Sequence, residues 1–225
     1  KKYRKSRRRY CCRSFLRTFE YGATSSHANP ESETVADDAF ARLIRSAGVT
    51  ETNRGGHADF IGSVNGRVPY PLETWAPEHC GQLDMAIDRD GRWFHEGSEI
   101  KRSELVSLFA GLLRKESDGA FYLVTPVEKV EVNVALHPLM VVDASQLRDS
   151  DTGEESLGLV LNTGGIFKLT PETGLHPEAR AAGAAFVCLP HGLTALFTRS
   201  AWYRLVEMAD DTGGIMSGGE RYSLL

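Results

Sequence analysis

Long apolar runs are missing from this chain. The longest stretch, around Leu136 to Val142, is interrupted by His137 and Pro138, whereas a membrane-spanning helix needs about 20 consecutive apolar residues. No membrane span is expected. Cysteine is scarce as well, with four in 225 residues. Cys11 and Cys12 are adjacent, which leaves Cys80 and Cys188 in the body, too few for a disulfide framework. Reduced thiols in a cytoplasmic protein fit that usage. The phosphate-cradling loops of nucleotide-binding proteins are absent, and so is any Cys-x-x-Cys pair. His95-Glu96 lacks the second histidine that a zincin requires.

Charge is distributed unevenly. The formal net charge is -4, yet the first 17 residues hold nine basic side chains and no acid. The remainder carries 17 basic residues against 30 acidic ones, a net charge of -13. An acidic body repels phosphate backbones, so nucleic-acid binding is expected only through the basic tail. Within that tail, Ser6-Arg7-Arg8-Arg9-Tyr10 resembles a twin-arginine signal superficially, but Arg13 and Arg17 interrupt the apolar segment such a signal needs. The chain has no initiator Met, and the tail reads as a disordered leader.

Residues 1–71 form a basic, flexible region with one helical candidate, Thr34 to Ala47, where Val35, Ala39, Leu43 and Ala47 recur every fourth position. Asn53-Arg54-Gly55-Gly56 and Asn65-Gly66 punctuate the linker that follows. From Gln82 the pattern alternates, with Leu83, Met85 and Ile87 on one face, which predicts a half-buried strand. Asp88-Arg89-Asp90-Gly91 makes a hairpin turn, and Arg92 to Glu96 returns. Ser103 is placed to cap a helix whose apolar stripe is Leu105, Leu108, Phe109 and Leu112. Phe121 to Thr125 is the next strand.

The C-terminal end shows the same plan. Ala185 to Leu189 and Leu193 to Thr198 read as a hairpin around Pro190-His191-Gly192. Ser200 is placed to cap a second helix, and Glu220 to Leu225 is a last strand. Arg102-Ser103 aligns with Arg199-Ser200, and Gly119 and Tyr122 align with Gly219 and Tyr222. Further strands lie at Val130 to Val134, Leu139 to Val142, Leu157 to Leu161 and Ile166 to Leu169. The expected class is α+β: two small β-rich roll-like domains, 72–137 and 138–225, each with a β-β-α-β unit, linked by an antiparallel meander.

Few residues suggest chemistry. Asp84, Asp88 and Asp90 before Gly91 resemble half of a calcium loop, but Ala86 occupies the first ligand position. Ser98-Glu99-Ile100-Lys101 matches a Ser-x-x-Lys motif without its partner motifs. Cys188 sits in an apolar strand, where packing explains it. No cofactor or metal is expected. The candidate ligand-binding residues are Trp93, Arg102, Thr125, Glu128 and Lys129, which lie at the ends of the best-defined elements. Two readings stand. They line a pocket between the units, or Arg102 and Glu128 form an internal ion pair over a core Trp93.

Several motifs together resemble a known family. They are Trp75-Ala76-Pro77, Cys80-Gly81, Ile87-Asp88-x-Asp90-Gly91-x-Trp93, Gly97-Ser98-x-Ile100-x-Arg102, Leu108-Phe109, Leu123-Val124-Thr125-Pro126-Val127-Glu128-Lys129, Asn162-Thr163, Gly192-Leu193 and Arg199. Over about residues 72–225 the chain resembles the bacterial domain-of-unknown-function family numbered 1285, typical of proteobacteria. The resemblance implies a cytoplasmic protein of two roll-like domains with repeated motifs and a ligand-binding or signalling role, with no established catalytic residues. One departure is Ala135-Leu136-His137-Pro138-Leu139, where family members carry an apolar-aromatic segment. The expectation is a non-enzymatic ligand-binding or regulatory module with an unknown small-molecule or protein partner. The alternative is a small metal-assisted hydrolase or transferase using the acidic residues of the first hairpin.

Overall fold

The computed structural model describes residues 40–46, 70–148, 153, 155–181 and 183–224. The basic tail and the glycine-rich linker turns lie outside these residues. Of the first helical candidate, residues 40–46 are described and are helical (α1), with Leu43 buried.

The first sheet begins with β1 (His79–Ile87), β2 (Trp93–His95) and β3 (Ser98–Glu99). Met85 and Ile87 point into the core while Asp84 faces out, as the alternation predicts. Asp88 organises the first turn. Its Oδ1 accepts from the backbone N–H groups of Asp90 and Arg92, both at 2.9 Å, and Gly91 closes the turn with φ +74°. Helix α2 (Ser103–Leu112) follows, then β4 (Leu113–Lys115), β5 (Phe121–Val124) and β6 (Glu128–Val134). The strand order is β3-β2-β1-β6-β5-β4, with β1 and β6 parallel at its centre.

The second sheet contains β7 (Leu139–Arg148), β8 (Glu155–Leu161), β9 (Ile166–Lys168), β10 (His176–Glu178), β11 (Ala184–Cys188) and β12 (Thr194–Phe197). Its order is β10-β11-β12-β7-β8-β9, with β12 and β7 parallel at the centre. Helix α3 (Arg199–Glu207) and the hairpin β13 (Gly214–Ser217) and β14 (Glu220–Ser223) complete the chain. Ser217 ties this hairpin to the sheet: its Oγ accepts from the Leu157 N–H at 2.9 Å and donates to the Leu169 carbonyl at 2.6 Å.

The class is α+β with two β-rich halves, and both carry a hairpin followed by a helix. Strand pairing nevertheless sets the internal repeat in a different register from the Arg-Ser alignment. Each sheet is two three-stranded antiparallel meanders joined by one parallel pair, formed by the first strand of one meander and the last strand of the next. The equivalent segments are thus β1 to β6 and β7 to β12. Helix α2 connects the meanders of the first sheet, whereas α3 follows the last strand of the second. The two helices that looked alike occupy different topological positions.

Both helix caps also differ from expectation. Ser103 is already the first residue of α2, and Arg102 at the N-cap makes no side-chain capping bond. For α3 the cap is Thr198, whose Oγ1 accepts from the Ala201 N–H at 3.2 Å. A side chain caps from the extended residue before the helix, and Ser103 and Ser200 both lie inside. Among the described residues Cys188 is a free thiol.

One hydrophobic cluster runs through both halves. It joins Leu43, Trp93 and Phe109 to Leu139, Leu159, Val187 and Leu205. Polar contacts cross the same boundary. Ser107 on α2 donates to the Thr163 carbonyl at 3.0 Å, and Asn162 Nδ2 donates to the Gly91 carbonyl at 3.3 Å. A smaller cluster of Leu136, Met140 and Leu196, with Phe186 against it, lies beside the link between the sheets. Among the described residues no helix is long and apolar enough to cross a membrane.

Candidate functional site

The five sequence candidates fall into three separate places. Trp93 is buried and packs on Phe109, with ring centroids 6.0 Å apart, so it is a core residue and not an exposed platform. Arg102 projects into solvent with 75% of its side chain exposed, and its Nε lies 4.0 Å from Glu104 Oε2. The anticipated Arg102–Glu128 ion pair does not form. Trp93 pairs with Ile87 at one end of β1, while Glu128 pairs with His79 at the other. Trp93 and Glu128 are therefore held at opposite ends of one strand.

Thr125, Glu128 and Lys129 do stay together, at the turn between β5 and β6. Thr125 is fully buried, and its hydroxyl donates to the Glu128 carbonyl at 2.9 Å and accepts from the Glu128 N–H at 3.1 Å. Lys129 Nζ meets Glu116 Oε2 at 2.6 Å and lies 4.5 Å from the centre of the Tyr122 ring. Burial opposes ionisation of Glu116, but Lys129 and Arg114 outweigh it and hold the carboxyl below its ordinary value. Lys129 is therefore engaged internally.

Glu128 differs from these. Its residue is 4% exposed, and Oε1 makes no hydrogen bond. Among the described residues, Arg42 Nε stands 3.9 Å from Oε1 and His79 Nε2 4.0 Å from Oε2, both outside hydrogen-bonding distance. Gly81 lies alongside, where a Cβ would come within 3.0 Å of Oε2. The absence of a side chain at Gly81 gives the carboxylate its room.

The acidic residues of the first hairpin are already committed. Asp88 Oδ2 meets Arg92 Nη2 at 2.7 Å and Nε at 2.8 Å, and Asp90 Oδ2 lies 3.3 Å from Arg92 Nη2. Among the described residues no group of three or more His, Cys, Asp or Glu side chains could hold a metal ion. The carboxylates on which the metal-assisted alternative relied shape a turn.

A second polar cluster sits where the chain passes from one sheet to the other. His137 lies in that link and is 2% exposed. Its Nε2 is 2.6 Å from Glu178 Oε2, at the end of β10, and its Nδ1 is 2.7 Å from Thr194 Oγ1, at the start of β12. Glu178 is 6% exposed. Its Oε1 accepts from the Arg180 backbone N–H at 2.7 Å and from Arg180 Nε at 2.9 Å, and its Oε2 accepts from Arg180 Nη2 at 3.1 Å. The Arg180 bonds hold the Glu178 carboxyl down at about 2. Burial pushes His137 below its ordinary value, overriding the opposing pull of Glu178. Around neutral pH the cluster thus contains a carboxylate and a neutral imidazole. The Phe186 ring stands 4.9 Å from the imidazole, centre to centre.

Comparison with known proteins places the chain. A family model described as "Domain of unknown function (DUF1285), N-terminal domain" matches residues 70–135. A crystal structure of a DUF1285 family protein from Silicibacter pomeroyi DSS-3 is 30% identical, with 81% of this chain and 94% of that chain covered, at a TM-score of 0.62. The chain belongs to the DUF1285 family. A second DUF1285 family protein, from Shewanella baltica OS155, is 25% identical over 56% of this chain and 91% of that chain, with a TM-score of 0.46. No curated protein matches. Membership in DUF1285 bears out the motif resemblance and leaves the activity open.

Sequence reasoning missed the His137 cluster in this DUF1285 chain. His137 stood out as an interruption of an apolar stretch and as part of a departure from the family pattern, and Glu178, Arg180 and Thr194 were not singled out as site residues. One signal was available. A histidine between Leu136 and Pro138, in a run that must be buried, needs partners for both ring nitrogens. Nothing in the sequence says that those partners lie 41 and 57 residues away. Arg42 and His79 were missed beside Glu128 for the same reason.

Proposed function

We propose that this DUF1285 protein is a ligand-binding module whose first sheet receives a small polar ligand at Glu128. The observation that carries this reading is the buried Oε1 without a hydrogen bond, with Arg42 and His79 held about 4 Å from the carboxylate. A buried acceptor left unmatched costs about 1–3 kcal/mol. A ligand hydroxyl, amide or ammonium group reaching Oε1 would remove that cost and gain a charge-assisted bond. Thr125 fixes the backbone that presents Glu128, Lys129 orders the neighbouring strand position, and exposed Val127 offers apolar contact beside them. Trp93 and Arg102 play no direct part. The role is regulatory, with binding rather than bond-making as the business of this sheet.

A thermal-shift screen of the full chain against hydroxylated and amino-bearing metabolites tests the reading, since a ligand that prefers the folded state raises its melting temperature. At least one such compound should raise Tm, and Glu128→Gln should fold normally while losing the shift. Stabilising compounds that act equally on wild type and Glu128→Gln would refute Glu128 as the binding group.

A further inference from the structure

The His137 cluster goes beyond this reading. We propose that Thr194 is an acyl-accepting nucleophile, with His137 as its general base and Glu178 as the carboxylate that orients the base. The three side chains stand in series at 2.7 and 2.6 Å. That is the arrangement nucleophilic catalysis requires: a hydroxyl within reach of a base, and the base held by a third group.

The protons are placed by the partners. Arg180 keeps Glu178 ionised, so both carboxylate oxygens only accept. His137 Nε2 must then carry the imidazole proton and donate it to Glu178. A neutral imidazole has one N–H, which leaves the Nδ1 lone pair to accept the Thr194 hydroxyl proton. Burial is graded in the matching sense. His137 and Glu178 are buried, whereas Thr194 is partly exposed. Glu178, Arg180 and Lys115 are the charged groups that act on the imidazole. The Phe186 ring, 4.9 Å from the imidazole, and the Leu136–Met140–Leu196 cluster give the site an apolar wall.

The substrate class is a short-chain ester or thioester. Thr194 Oγ1 attacks the carbonyl carbon and forms the new C–O bond as its proton passes to His137 Nδ1. Collapse of the tetrahedral intermediate breaks the bond to the leaving alcohol or thiol, which takes that proton. Water repeats the sequence, adding to the acyl-threonine and releasing a carboxylic acid and free Thr194.

The test uses the full chain with p-nitrophenyl acetate and p-nitrophenyl butyrate. A burst of one equivalent of nitrophenolate is expected, with one acyl group on the peptide containing Thr194. Thr194→Val, close to isosteric, should abolish the burst with the fold retained by circular dichroism, and Thr194→Ser should preserve it. His137→Gln should slow acylation by roughly 100-fold, the scale of general-base assistance, and acylation should also slow at pH values that protonate the imidazole. No burst from folded protein with either ester would overturn the proposal. So would acylation at Cys188, the cross-strand partner of Thr194, or a burst unchanged in Thr194→Val.

Discussion

Replacing Glu178 by leucine is the perturbation whose cost the structure defines best. The substitution removes the acceptor for His137 Nε2, 2.6 Å away. A donor on a residue as buried as His137 then has no partner, which costs about 1–3 kcal/mol. The Arg180 backbone N–H loses its 2.7 Å bond, worth about 1 kcal/mol. Arg180 itself has 59% of its side chain exposed and returns to water at little cost. The expected destabilisation is therefore about 3 kcal/mol. His137→Leu should cost about 2 kcal/mol, because Glu178 keeps its Arg180 bonds while Thr194 loses a partner. The double variant should be at least about 1 kcal/mol more stable than the sum of the single costs, because matched apolar side chains leave no orphaned group. Urea denaturation followed by circular dichroism, with m values compared to confirm a common unfolded state, measures all four corners of the cycle. Single costs that add within about 0.5 kcal/mol would refute the coupling.

The same cluster sets a pH dependence. His137 is held below the ordinary histidine value of 6.5, so the unfolded chain takes up that proton first and stability falls as pH drops through 6.5. Glu178 is held at about 2 against an ordinary 4.5, so its contribution is complete above 4.5 and disappears between there and about 2. The urea midpoint of wild type should decline from neutral toward acid pH, and the double leucine variant should flatten that decline; parallel curves would count against the assignment. Gly91→Ala should destabilise by about 2–3 kcal/mol, because φ of +74° disfavours a side chain and the new Cβ would lie 2.7 Å from Met140 Cγ. Calorimetry checks it, and a change below about 0.5 kcal/mol would show that Met140 yields freely.

What the sequence made legible was local. The β1 alternation, the Asp88 turn and the α2 stripe each depend on residues a few positions apart, and all three are present. Short strands such as β4 and β10 were not legible, since three residues carry too little periodicity. The repeat was misaligned because amphipathic helices after hairpins look alike, while topology is decided by long-range pairing. The candidate site was half visible. The Thr125–Glu128 turn follows from neighbouring residues, but its surroundings, Arg42 and His79, come from distant segments. The expected Arg102–Glu128 pair failed because Arg102 follows the Trp93 end of β1, whereas Glu128 pairs at the other end. His137 shows the limit most clearly, because its partners come from strands that meet only when the second sheet closes.

The strand order has a further consequence. Both sheets keep their longest members, such as β1 and β7 with 9 and 10 residues, in the interior, and end on strands of 2 or 3 residues: β3, β4, β9 and β10. A foreign strand could recruit only two or three backbone partners at any of these four rims. Lys115, Lys168 and Glu99 add charge there, and Pro177 removes an N–H from β10. The margins of the two six-stranded sheets are thereby poor templates for edge-to-edge pairing.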